Sequence, residues 1–183
     1  MSQGWSLIGN SNNAPLDVAT VFGDTSKVAS VFKWVPSQAK WAFFAPSLAG
    51  QALSDYANSK GYDVLATVNG GEGFWVNAAQ PFSIDLPAGN AVGVAAFQAA
   101  LSQGWNLISV GESLTPSQFN TALGVNIATL WAWDAALSQW YLYAPGLDAN
   151  GTLSSYVASK GYLDFATSNK TLGAGVGFWV NVP

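Results

Sequence analysis

The sequence predicts an α+β fold, mainly antiparallel β, built as two tandem modules of about four to five strands and two short helices each. Three observations predict it. An internal repeat runs in register over nearly the whole chain, aromatic residues alternate in short period-two runs, and capped helical segments lie between those runs.

The repeat is read by laying copy on copy. Ser2-Gln3-Gly4-Trp5-Ser6-Leu7-Ile8 returns as Ser102-Gln103-Gly104-Trp105-Asn106-Leu107-Ile108. Trp34 and Trp41 return as Trp133 and Trp140, and Ala45-Pro46 as Ala144-Pro145. Tyr56 to Tyr62 matches Tyr156 to Tyr162, and Gly73-Phe74-Trp75-Val76-Asn77 matches Gly177-Phe178-Trp179-Val180-Asn181. The second copy is longer before that last motif, around Lys170 to Gly173, as surface loops tolerate. The boundaries follow: a first module over 1–90 and a second over 91–183, with the joint in the Pro-, Gly- and Asn-rich stretch 87–94.

Within each copy the elements follow in order. Trp5 to Ile8 reads as a strand. Thr115-Pro116-Ser117-Gln118 is a capping box with proline at the first helical position, and Gly124 stops the helix. Residues 15–22 repeat that helix in the first copy, with Gly23 as its stop. Residues 31–35 and 41–45 read as a hairpin. A turn on Ser37-Gln38 sets Trp34 opposite Trp41, and Trp133 opposite Trp140 in the second copy. A second helix is expected from Gln51 to Lys60, with Leu53, Tyr56 and Ala57 inward. Strands are expected over 65–69, 73–78 and 82–86, and a short helix over 95–101. The second copy ends without an equivalent of 82–86, so a longer array is expected.

Half of the 183 residues are hydrophobic and only 9% are charged, against about 25% in an ordinary soluble domain, so a real core is affordable and disorder is not expected. Net charge is −4 and arginine is absent, which argues against nucleic-acid binding and against a polybasic membrane surface. No apolar run is long enough to span a bilayer, so membrane insertion is not expected. Cysteine and histidine are absent, which removes disulfides, thiol nucleophiles, imidazole bases and the common zinc and copper ligands. No metal or cofactor is expected. An acidic, lysine-poor chain rich in Ala, Ser, Gly and Asn points to an extracellular or cell-surface location, with any signal peptide outside these residues.

Nine tryptophans stand out. Trp5, Trp75 and their counterparts Trp105 and Trp179 lie in the tightest motifs and are expected in the core. The candidate ligand-binding aromatic platform is Trp34, Trp41, Trp133 and Trp140, with Tyr141 and Tyr143 on the same strand, because flat rings stack on the C–H faces of sugars. No catalytic residue is assigned. None of the ten carboxylates repeats between copies, so they read as solvated charge. A glycosidase-like pair drawn from Glu72 and Asp55 is the minority reading. Lys60 and Lys160 repeat and suit the C-terminal end of a helix dipole. The glycine-rich runs before Phe74 and Phe178 precede a strand, so they suit a close backbone approach and not a phosphate.

Gly-Trp-(Ser/Asn)-Leu-Ile, the two tryptophans seven apart, Ala-Pro, Lys-Gly-Tyr and Gly-Phe-Trp-Val-Asn together resemble tryptophan-rich tandem repeat modules of exported and surface bacterial proteins. The resemblance implies location and modularity. A likeness to kelch blades, through Trp133-Asp134 and Trp140, fails because two copies cannot close a propeller. The expectation is a non-catalytic extracellular module that recognises a polysaccharide or cell-surface glycan. The alternative is a structural or adhesive protein that self-associates or packs on neighbouring domains.

Overall fold

A computed structural model describes residues 1–183 as an α+β protein with two five-stranded sheets of the same topology. The first contains β1 (Gly4–Gly9), β3 (Val28–Val35), β4 (Lys40–Phe44), β5 (Asp63–Val64) and β7 (Gly73–Ala78), in the order β1-β7-β3-β4-β5. The second contains β8 (Gly104–Ile108), β9 (Thr129–Asp134), β10 (Gln139–Tyr143), β11 (Leu163–Asp164) and β12 (Phe178–Val182), in the order β8-β12-β9-β10-β11. In each, only the last pair is parallel. A two-stranded ladder of β2 (Leu16–Asp17) and β6 (Thr67–Val68) flanks the first sheet.

Helices cover one face of each sheet: α1 (Val18–Phe22) and α2 (Gln51–Ser59) in the first, α3 (Pro116–Leu123), α4 (Pro145–Ala149) and α5 (Leu153–Lys160) in the second. Two cores result. Phe22, Val31, Phe74 and Val76 centre one, and Phe119, Leu130, Phe178 and Val180 the other. No helix is long and apolar enough to cross a membrane.

The second module's α3 forms as its capping box dictates. Thr115 Oγ1 accepts from the Gln118 N–H, the Gln118 side chain accepts from the Thr115 N–H, and Gly124 ends the helix at φ 69°. Its counterpart α1 is shorter than the sequence suggests. Asp17, paired to Thr67 in the flanking ladder, becomes its cap, so residues 15–17 are not helical, and Gly23 stays right-handed. In α2 only Leu53 and Ala57 are buried; Tyr56 is exposed, with Lys60 Nζ 5.9 Å above its ring. Lys160 and Tyr156 repeat this at 5.8 Å, so the duplicated lysines serve cation–π contacts as well as helix ends. Residues 82–86 form no strand; Phe82 and Ile84 instead lie on the first core. The helix expected over 95–101 is a 3₁₀ turn at Val94–Phe97. α4 is a further short helix, begun by Pro145, that the sequence pattern does not predict.

The two sheets meet at their edge strands. The Gly9 N–H donates to the Gly175 carbonyl at 3.1 Å, and the Ser109 N–H donates to the Gly71 carbonyl at 2.8 Å. The modules are thus related by an approximate two-fold, and each bridges the end of the other's edge strand. This explains the glycine-rich runs. A Cβ at Gly73 would lie 2.9 Å from the Ile108 carbonyl oxygen, and one at Gly177 would lie 2.2 Å from that of Ile8. The close backbone approach expected at these glycines is an approach of the other module.

Candidate functional site: an aromatic cleft across both modules

Period-two alternation sorts each strand into two faces. On β12, Phe178 and Val180 enter the core while Trp179 and Asn181 point the other way; β7 repeats this with Phe74, Val76, Trp75 and Asn77. On β9, Leu130 and Ala132 are buried while Trp131 and Trp133 are only half-buried. Every tryptophan therefore lies on the face away from the helices. None belongs to either core, and Trp5 and Trp105 are 44% and 43% exposed. The expected core placement of Trp5, Trp75, Trp105 and Trp179 is corrected accordingly. Their neighbours in the motifs take the core, and alternation forces the indoles out.

The hairpin registers agree with the sequence reading: Trp34 pairs with Trp41 and Trp133 with Trp140. Their rings meet nearly edge-on, with centroids 5.3 Å and 5.1 Å apart. Each hairpin reaches over the other module. Trp34 Nε1 donates to the Trp105 carbonyl at 2.8 Å, and Trp133 Nε1 donates to the Trp5 carbonyl at 3.0 Å. Trp41 stacks edge-on against Trp179, and Trp140 against Trp75. The β9–β10 turn is held by Asp134, whose Oδ1 accepts from the Ala136 and Leu137 N–H groups at 3.0 Å each. The β3–β4 turn is a 3₁₀ turn at Pro36–Gln38, with Ala39 left-handed at φ 47°.

Between these rings lies a cleft of about 450 Å³ lined by Trp34, Trp41, Trp105, Trp131, Trp140, Tyr162 and Trp179. A smaller counterpart of about 240 Å³ is lined by Trp5, Phe32, Trp41, Tyr62 and Trp75, so Trp41 is shared. Three of the four candidate platform tryptophans, Trp34, Trp41 and Trp140, line the large cleft; Trp133 packs between Trp75 and Trp140 behind it.

Tyr141 and Tyr143 do not belong to this face. Both are 5% exposed and sit in the second core, because Trp140 already takes the outer face of β10. Burial raises both phenol pKa values above the usual range, and the Asp134 carboxylate, which accepts from Tyr141 Oη at 3.2 Å, reinforces the shift at Tyr141. The site residues missed at sequence level are Trp105, Trp131, Trp179 and Tyr162. Trp131 and Trp179 were legible from the alternation of Phe178, Val180, Leu130 and Ala132; Tyr162 follows a helix stop and gave no such signal.

The carboxylates have local partners. Glu72 pairs with Lys33 at 2.8 Å and accepts from the Asn69 N–H, Asp63 pairs with Lys40, and Asp55 accepts from Gln51 one turn earlier in α2. No group of three or more acidic, histidine or cysteine side chains is placed to hold a metal ion. The chain matches no protein-family model, no curated protein and no solved structure.

Proposed function

We propose that this protein is a non-catalytic extracellular or cell-surface module that binds carbohydrate in the aromatic cleft, like the exported tryptophan-rich repeats that its sequence resembles. The observation that carries the reading is that all nine tryptophans lie outside the cores, most of them around one continuous cleft. Burying a large apolar side chain stabilises a fold by roughly 1.5–3 kcal/mol, so leaving so many half-exposed forgoes stability that a ligand can use. Ring walls suit the apolar C–H faces of sugars. Asn77 and Asn181, in register with Trp5 and Trp105, put amides on the same strand face for hydroxyl groups.

The test is a tryptophan-fluorescence titration against a panel of polysaccharides. Saturable quenching or a spectral shift is expected, with affinity lowered tenfold or more by Trp179→Ala. Emission that no polysaccharide alters sinks the reading.

Self-association is the second reading, favoured by one observation: the tryptophan faces of the two modules already pack on each other. Light scattering that finds a monomer at high concentration removes it.

A further inference from the structure

Away from the aromatic cleft, and sharing no lining residue with it, the second module has a solvent-open cavity of about 210 Å³ between the start of α3, the end of β10, α5 and the loop after β11. Its polar lining includes Ser117, Tyr143, Asp148, Asp164 and Lys170; Leu153, Phe165 and Pro116 add apolar wall.

The first copy lacks nearly all of this polarity. By strand register Tyr143 corresponds to Phe44 and Asp164 to Val64. By the aligned caps and motifs Ser117 corresponds to Ala19 and Asp148 to Ala49. Lys170 has no counterpart. Ala66 answers to Ala166 and Thr67 to Thr171, so the second copy's extra residues are Thr167, Ser168, Asn169 and Lys170.

The groups are also available. Tyr143 is 5% exposed and its hydroxyl lies near the side chains of Ser117 and Asp148. Neither Asp148, which is exposed, nor Lys170, whose Nζ lies 6.0 Å over the Tyr141 ring, belongs to any of the three ion pairs in the molecule. Asp164 is partly used, accepting from Ser154 Oγ at 2.5 Å and from the Ala166 N–H at 2.8 Å.

We propose that this cavity is a second binding site, confined to the second module, that holds a single hexopyranose ring. Two carboxylates argue against an anion, and the Lys170 ammonium argues against a simple cation. A wholly apolar ligand would displace water from the Tyr143 hydroxyl and the charged side chains without replacing its hydrogen bonds, which is costly. A neutral polyhydroxylated ring satisfies all three conditions. Its hydroxyls donate to Asp148 and Asp164, its oxygens accept from Lys170 and Tyr143, and its C–H face lies on Phe165. The volume is below the roughly 300–1,000 Å³ of pockets for larger ligands, which limits the occupant to about one ring.

The experiment is a titration of the ¹⁵N-labelled full chain with the methyl glycosides of glucose, galactose, mannose and N-acetylglucosamine, read by amide and indole resonances. At least one glycoside is expected to move the amides of Ser117, Asp148, Ala166 and Lys170 while the indole signals stay put. Tyr143→Phe and Asp148→Ala install the first copy's residues. Each is expected to weaken binding tenfold or more while leaving polysaccharide quenching of tryptophan unchanged, which separates this site from the cleft. The proposal is overturned if no glycoside perturbs these amides, if both variants bind as the parent does, or if free glycine perturbs the same amides more strongly than any glycoside.

Discussion

Gly9 and Ser109 occupy equivalent positions of the two copies and face each other: a Cβ built on Gly9 would stand 2.2 Å from the Cβ of Ser109. They therefore sit at the approximate two-fold, where one position has room for a side chain only if its counterpart has none. The asymmetry of the pair is a packing solution. Gly9→Ala is expected to destabilise by about 1–3 kcal/mol, the range for overpacking, and adding Ser109→Gly should recover much of that loss. The check is a double-mutant cycle by urea denaturation; additive effects would show that the two side chains do not compete.

The reciprocal indole bonds predict how the modules unfold. Trp34→Phe leaves the Trp105 carbonyl without its donor, and Trp133→Phe does the same to Trp5. Each is expected to cost about 1 kcal/mol, similar in both halves. Because these bonds and the strand-edge bonds join the modules, near- and far-ultraviolet circular dichroism should report one coincident transition. Two separated transitions would refute this.

Asn106 predicts a stability difference between the copies. Its side chain donates to the carbonyls of Ser102 and Gly104 and accepts from the Ser102 N–H, tying down the turn that enters β8. The first copy has Ser6 there, and its buried hydroxyl finds no partner. Asn106→Ser should therefore lower stability by about 1–3 kcal/mol and speed amide exchange at Ser102. Unaltered exchange would mean that the turn is held by something else.

Alkaline pH should weaken the fold through the second module. Burial raises the Tyr141 and Tyr143 pKa values, so their neutral forms favour the folded state. That stability is complete below the unfolded value near 10 and is lost as pH rises through the folded values. Tyr143→Phe should flatten the decline of the melting temperature above pH 10. An identical decline in the variant would exclude Tyr143 as a source.

At the acid end the sign reverses. Hydrogen bonds from Ser26 and then Lys27 lower the Asp24 pKa to about 2, so its contribution is present above the usual carboxylate pKa and fades as pH falls toward 2. The side chain is exposed, so a carboxyl NMR titration is the suitable check and a late midpoint is the expected result.

Local chemistry alone was enough for several features. The capping box of α3, the glycine stop after it and the Trp34–Trp41 and Trp133–Trp140 pairs depend on contacts a few residues apart. The start of α1 was harder, because Asp17 is claimed by a ladder with Thr67, fifty residues away in sequence. The platform was legible in part. Alternation places Trp34, Trp41 and Trp140 on one face and Tyr141 and Tyr143 on the other, and the same rule turns Trp75 and Trp179 away from the core that Phe74, Val76, Phe178 and Val180 enter.

The sequence by itself determined the duplication, the α+β class, the hairpin registers and the absence of cysteine and histidine chemistry, since each rests on composition or on spacing within one module. Only the tertiary structure decided what the glycines before Phe74 and Phe178 are for, why Gly9 faces Ser109, and which tryptophans share a cleft. Those depend on how one module meets the other, and that meeting is set by the shape of two finished surfaces, which no local pattern encodes.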